Sequence, residues 1–191
     1  MKILEYMGIL ETTPADGTYV KNIASEDLLG KMRFSVSATA VTMMDLLELR
    51  ISLETFAAYY AAIRRTDEDI EAIRSAIVDM REAKKAPVMN EEAMQNLRYM
   101  SYQFHRKIVG AAHNAVLTSV YESLYELLDI SQQFTINTSG ISYNSILAHE
   151  TLFDKIVHRD AEGAKRGMSE HLEDVRITLR NSTGEDDEQT L

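Results

Sequence analysis

"VTMMDLLELRISLETFAAYYAAIRR", residues 41–65, runs without a glycine or a proline. Within it Leu46, Leu49, Leu53, Phe56, Tyr60 and Ile63 recur at steps of three and four, the spacing of one face of an α-helix. A strand of that length would show strict alternation instead. A long helix gains most of its stability in water by burying its apolar stripe, so this segment requires helical neighbours. The spacing predicts the six residues as its inward seam.

The same periodicity continues on both sides. Upstream, Ser25 is placed as the N-cap of a helix to about Ser37, with Glu26 and Asp27 in its first turn. Downstream, Thr66 caps a helix to about Lys85, and the acids at 67–69 suit the positive end of its dipole. "KKAPVMN", residues 84–90, is a loop. Helices follow from Asn90 to about Ala112 and from Asn114, as N-cap, to about Gln133. "NTSG", residues 137–140, breaks the pattern before helices at about Ser142–His158 and Ala161–Leu179. Nothing repeats at a fixed period. The expected fold is all-α, an antiparallel bundle of about seven helices joined by short loops.

The first residues differ in character. "MKILEYMG", residues 1–8, reads as the last turns of a helix closed by Gly8. "ILETTPADGTYV", residues 9–20, reads as two short strands around a Pro14-Ala15-Asp16-Gly17 turn. A helix end plus hairpin is too small to fold alone. The chain therefore divides into a remnant over 1–21, a helical domain over 22–181, and an acidic tail over 182–191 that is expected to be disordered.

Composition narrows the function classes. With 45% apolar and 26% charged residues in 191, the chain is globular and holds one ordinary core. No apolar run is long enough for a membrane span, and the N-terminus lacks a secretory pattern. The absence of cysteine excludes disulfides and thiolate metal sites and fits a cytoplasmic location. A net charge of −10 disfavours binding to nucleic-acid phosphates by this chain alone.

The histidines carry the chemistry. On 142–158, Ile146, His149, Phe153 and Ile156 share the buried stripe; on 161–179, Ala164, Met168, His171 and Val175 do. On 90–112, Ser101, His105, Ile108 and Ala112 share a row beside Leu97 and Phe104. Three helices thus each aim one histidine inward, whereas His113 and His158 fall at helix C-termini, where the dipole favours an imidazolium. Any one inward histidine reads as a hydrogen-bonded core residue. Three together also read as a shared metal site, because each buried imidazole needs partners for two nitrogens. Three imidazoles suit zinc, nickel, copper or ferrous iron and leave positions open for a small molecule.

Arg50 lies on a row with Leu47, Glu54, Ala57 and Ala61. It reads either as a partly solvated i,i+4 partner of Glu54 or as a guanidinium that holds a carboxylate in two-pronged fashion. Hydrolytic or lyase chemistry at three histidines is a further possibility, with metal-bound water as nucleophile. No HExxH and no Glu-x-x-His pair occurs, and Glu150 and Glu170, each adjacent to a histidine, point about 100° away from it.

"ELRISLETFAAYYAA", "FHRKIVGAAHN", "AHETLFDKI" and "AKRGMSEHLEDV", in that order, resemble the FCD effector domain of GntR-type bacterial transcription regulators, the FadR group, over roughly residues 25–180. "LEYMGILETTPADGTYV" resembles the end of that family's winged-helix DNA-binding domain, without the second glycine common in its wing. The resemblance implies a homodimeric regulator that is not an enzyme and not membrane-bound. It also implies operator contact through winged-helix parts that these residues do not supply, and a divalent metal, zinc or nickel, held by His105, His149 and His171, with a small carboxylate bound over it. Arg50 matches the family arginine that points toward the effector. The family has aspartate where this chain has Ser101, which removes one ligand and leaves the site more positive. Ser145, one turn before His149, is a further polar candidate for the effector. Some relatives in the FadR group bind a longer acyl ligand without metal, and the change at Ser101 keeps that alternative open.

Overall fold

Capping residues set the helix starts. Thr66 accepts from the Asp69 amide while the Asp69 carboxylate accepts from the Thr66 amide, a reciprocal capping box. Asn90 and Asn114 each accept from the backbone amide three residues on. The computed structural model describes residues 10–13, 17–20, 43–85, 90–124 and 143–183. These form a two-stranded hairpin and six helices: β1 (Leu10–Thr13), β2 (Gly17–Val20), α1 (Met43–Arg64), α2 (Asp67–Lys84), α3 (Glu91–Ala111), α4 (Ala115–Ser123), α5 (Tyr143–Val157) and α6 (Ala161–Thr183).

Apart from the hairpin, the described residues are all-α, as the periodicity requires. The strands pair antiparallel, with Thr13 opposite Gly17. Gly17 has φ of +129°, a conformation that side-chain-bearing residues rarely adopt. The helix begun at Asn114 ends at Ser123 with Leu124 as its C-cap, short of the expected end near Gln133. The expected helix over 25–37, the "NTSG" break and the boundary at 21/22 lie outside the described residues. So do the first eight residues and the segment after Thr183. At the other boundary α6 runs through Thr183, past the expected end at Leu179 and into the segment assigned to the tail.

α1 lies along α6 and also meets α3 and α5, α2 packs on α3 and α5, and α5 packs on α6. The core between them includes Leu47, Ile73, Met80, Leu97, Phe104, Ile108, Leu152, Ile156, Met168 and Leu172. A smaller cluster around Ala57, Tyr102, Val109, Leu117 and Tyr121 holds α4 against α1 and α3.

One expectation is corrected. The seam Leu46, Leu49, Leu53, Phe56, Tyr60 and Ile63 is not the buried face of α1, since Phe56 and Ile63 are each 45% exposed. The inward row is the neighbouring one, Leu47, Arg50, Glu54, Ala57 and Ala61, with Ala58 and Ala62 beside it. The four alanines are fully buried. Small side chains let the α1 backbone approach its partners closely, and interior packing density favours that over inserting bulky rings.

Side chains reaching across elements fix one end of the bundle. Arg65 Nη2 donates to the Val157 carbonyl at 2.6 Å, Arg159 Nη1 to Ile63 at 2.6 Å, and Arg64 Nη1 to Ala112 at 2.9 Å. These hold the C-terminal ends of α1, α3 and α5 in a common register. No helix among the described residues is long and apolar enough to cross a membrane.

Candidate metal and effector site

His105 is presented by α3, His149 by α5 and His171 by α6, and all three are buried. Phe104 packs its ring 4.3 Å from that of His149, filling the space behind it. One ring nitrogen from each histidine falls in a group within 4.8 Å, and Nε2 of His149 lies 3.1 Å from Nε2 of His171. No other group of three such side chains occurs among the described residues.

Burial, followed by His171, His105 and Arg50, pushes His149 well below the usual imidazole range. His171 falls to about 3, again through burial first and then through His105 and Arg50. Both are therefore neutral at physiological pH, the state in which imidazole ligates a metal.

These residues fit a divalent ion. Metal–nitrogen bonds of about 2.0–2.1 Å place cis ligand nitrogens about 3–3.4 Å apart, and the His149–His171 separation lies in that range. Two nitrogens facing each other can share only one proton, whereas a cation accepts both lone pairs. The donor set of three imidazoles suits zinc, nickel, copper or ferrous iron. One cost remains: Nδ1 of His149 is buried without a hydrogen-bond partner.

Arg50 and Glu54 do pair, with Arg50 Nε donating to Glu54 Oε1 at 2.9 Å, but the face is not solvated. The two side chains are 3% and 0% exposed. A buried pair of this kind is costly to break from one side, typically by about 3–5 kcal/mol, far more than a solvated i,i+4 pair contributes. Burial alone would raise the Glu54 pKa, but Arg50 and then His105 hold its carboxyl well below the ordinary range. Arg50 in turn is raised by Glu54 despite its own burial. The site thus contains a fixed anion and a fixed cation beside the three rings.

The remaining candidates are placed less centrally. Ser101 is buried one turn before His105 on α3, and Ser145 is half-buried one turn before His149 on α5. His113 and His158 lie apart from the cluster: His113 Nε2 meets Asp69 Oδ2 at 2.7 Å, and His158 Nδ1 meets the Asp154 carbonyl at 2.9 Å, both near the surface. Glu150 pairs with Arg81 and Glu170 is exposed, so neither serves as a base beside the histidines. Two site residues were not singled out by spacing. Glu54 approaches His105 Nδ1 at 2.6 Å, and Tyr121, fully buried on α4, donates to Glu54 Oε1 at 3.2 Å. The signal for Glu54 was its place four residues after Arg50; for Tyr121 there was none, because its partner is distant in sequence.

The FCD domain family matches residues 45–174. The Uxu operon transcriptional regulator of Escherichia coli is 27% identical over 97% of this chain and 72% of its own length. The HTH-type transcriptional regulator LutR of Bacillus subtilis is 23% identical over 94% of this chain and 81% of its own. Among solved structures, a Streptococcus agalactiae GntR protein superposes with a TM-score of 0.60 at 22% identity, covering 92% of this chain and 78% of that one. These relatives are transcription regulators rather than enzymes. The chain belongs to the FCD domain family, the effector-binding domain of GntR-type transcription regulators.

Proposed function

We propose that this domain senses a small organic anion, which binds over a divalent metal, zinc or nickel, held by His105, His149 and His171. The observation that carries this reading is the convergence of three buried imidazoles from three helices beside the buried guanidinium of Arg50. When bound, the metal supplies a positive centre with open positions for carboxylate oxygens. Arg50 spends its Nε on Glu54 and offers its remaining nitrogens to the anion. Ser101 and Ser145 add hydroxyls at the edge of the same space. The family's aspartate would contribute a negative charge at position 101, and its absence makes the pocket more favourable to an anion.

An effector bridging Arg50 and the metal ties α1 to α3, α5 and α6 at once. If its contacts differ between two arrangements of a homodimer, binding shifts their populations. An attached winged-helix domain then fits its operator differently. The reading places the protein in the cytoplasm.

The test is a thermal-shift screen of small mono- and dicarboxylates, run with zinc and with chelator. The expected result is stabilisation by at least one hydroxy- or dicarboxylate that depends on zinc and is lost in Arg50→Gln. Stabilisation by long acyl chains, equal in zinc and in chelator, would favour a metal-free acyl site instead.

A further inference from the structure

Glu54 is fully buried on α1, and three groups from three helices converge on its carboxylate. Arg50 Nε reaches Oε1 at 2.9 Å from its own helix, Tyr121 Oη reaches Oε1 at 3.2 Å from α4, and His105 Nδ1 stands 2.6 Å from Oε2 on the α3 side. The last approach is close but not aligned as a directed hydrogen bond, so Oε2 and Nδ1 are each left without another partner. Two buried polar atoms in that position have only each other to satisfy, and a small turn of the imidazole brings them into line. Glu54 is not among the side chains whose ligand atoms share the 4.8 Å group, so it stands behind His105 rather than among the clustered ring nitrogens.

We infer that Glu54 is the positioning residue of this site. By accepting from Nδ1–H it fixes the tautomer and ring angle of His105 and leaves Nε2, on the opposite edge of the ring, free for the metal. A ligating imidazole commonly donates its other N–H to a carboxylate, and loss of that partner weakens metal binding. The arrangement gives His105 what His149 lacks, whose Nδ1 has no partner. It also explains why a carboxylate is retained on the inward row of α1, where an apolar residue would pack at lower cost. Because the same carboxylate holds Arg50 Nε, one group sets the orientation of both the metal ligand and the guanidinium.

The inference rests on the metal reading for its purpose but not for its test. Long-range proton–nitrogen correlation on metal-free, nitrogen-labelled protein at neutral pH reads the His105 tautomer directly, with His105→Gln supplying the assignment. Wild type is expected to carry the proton on Nδ1, and Glu54→Gln to lose that preference. Competition with a chromophoric chelator then measures zinc affinity, expected to weaken by about ten- to hundredfold in Glu54→Gln. Tyr121→Phe keeps the carboxylate and is expected to change affinity by less than about fivefold, the scale of one net hydrogen bond. Should Glu54→Gln not fold, Glu54→Asp, which keeps the charge and shortens the reach, takes its place with the same readouts. An unchanged tautomer together with unchanged zinc affinity, whatever the loss of stability, would overturn the inference. If wild type takes up no zinc, the metal reading fails, and the tautomer alone decides the role of Glu54.

Discussion

Replacing Ser101 with Asp separates a metal site from a metal-free pocket by the sign of one difference. Ser101 is 7% exposed and sits one helical turn before His105 on the same row of α3. Without metal, an added carboxylate there is buried and unpaired, which costs about 2–3 kcal/mol. At about 2–4 °C per kcal/mol for a chain of this size, Ser101→Asp melts about 4–12 °C below the parent in chelator. With metal, the carboxylate gains an ion that prefers it to a hydroxyl. A tenfold rise in affinity is about 1.4 kcal/mol, and at saturating zinc that difference appears as added stability. The zinc-induced rise in melting temperature is therefore expected to be larger in Ser101→Asp than in the parent, by about 3–6 °C. Circular dichroism melts of both proteins, in chelator and in zinc, measure the four values required. The same substitution is expected to weaken an anionic effector through like-charge repulsion. A variant that loses as much melting temperature in zinc as in chelator would refute the reasoning.

Three further outcomes follow from the same geometry. His149 and His171 are held neutral below the unfolded imidazole value of about 6.5, so the unfolded chain binds more protons as pH falls. Their contribution is intact above that value and is lost toward about 3 for His171; urea midpoints of metal-free protein are expected to drop from pH 7 to pH 4, and His171→Asn to flatten the drop. Phe104 is fully buried against the His149 ring, and Phe104→Ala is expected to cost about 3–5 kcal/mol in urea unfolding while also lowering zinc affinity. His113 has φ of +46° and pairs with Asp69, so His113→Ala keeps the backbone strain and loses the contact, whereas His113→Gly loses only the contact. The glycine variant is expected to be the more stable of the two by about 1 kcal/mol, with zinc affinity unchanged in both.

Helix positions and inward histidines were legible because each depends on local spacing. Thr66, Asn90 and Asn114 cap the helices they begin, and His105, His149 and His171 point where the three-and-four pattern directs them. The face of α1 was not legible from hydrophobicity. Its bulkiest apolar side chains flank a row of alanines interrupted by Arg50 and Glu54, and only the closeness of the neighbouring helices decides which row is buried. The pairing of Arg50 with Glu54 followed from their spacing, but its burial did not, since burial depends on what α3 and α4 place over it. Tyr121 and the approach of Glu54 to His105 join residues far apart in sequence, and no local pattern encodes such contacts.

The most direct measurement is the metal content of purified protein, determined by elemental analysis after equilibration with zinc or nickel and removal of free ion. The three-histidine site predicts about one divalent ion per chain, lost in His149→Ala and His171→Ala and kept in His113→Ala and His158→Ala. Equal metal retention across all four variants, or none in the parent, would contradict it.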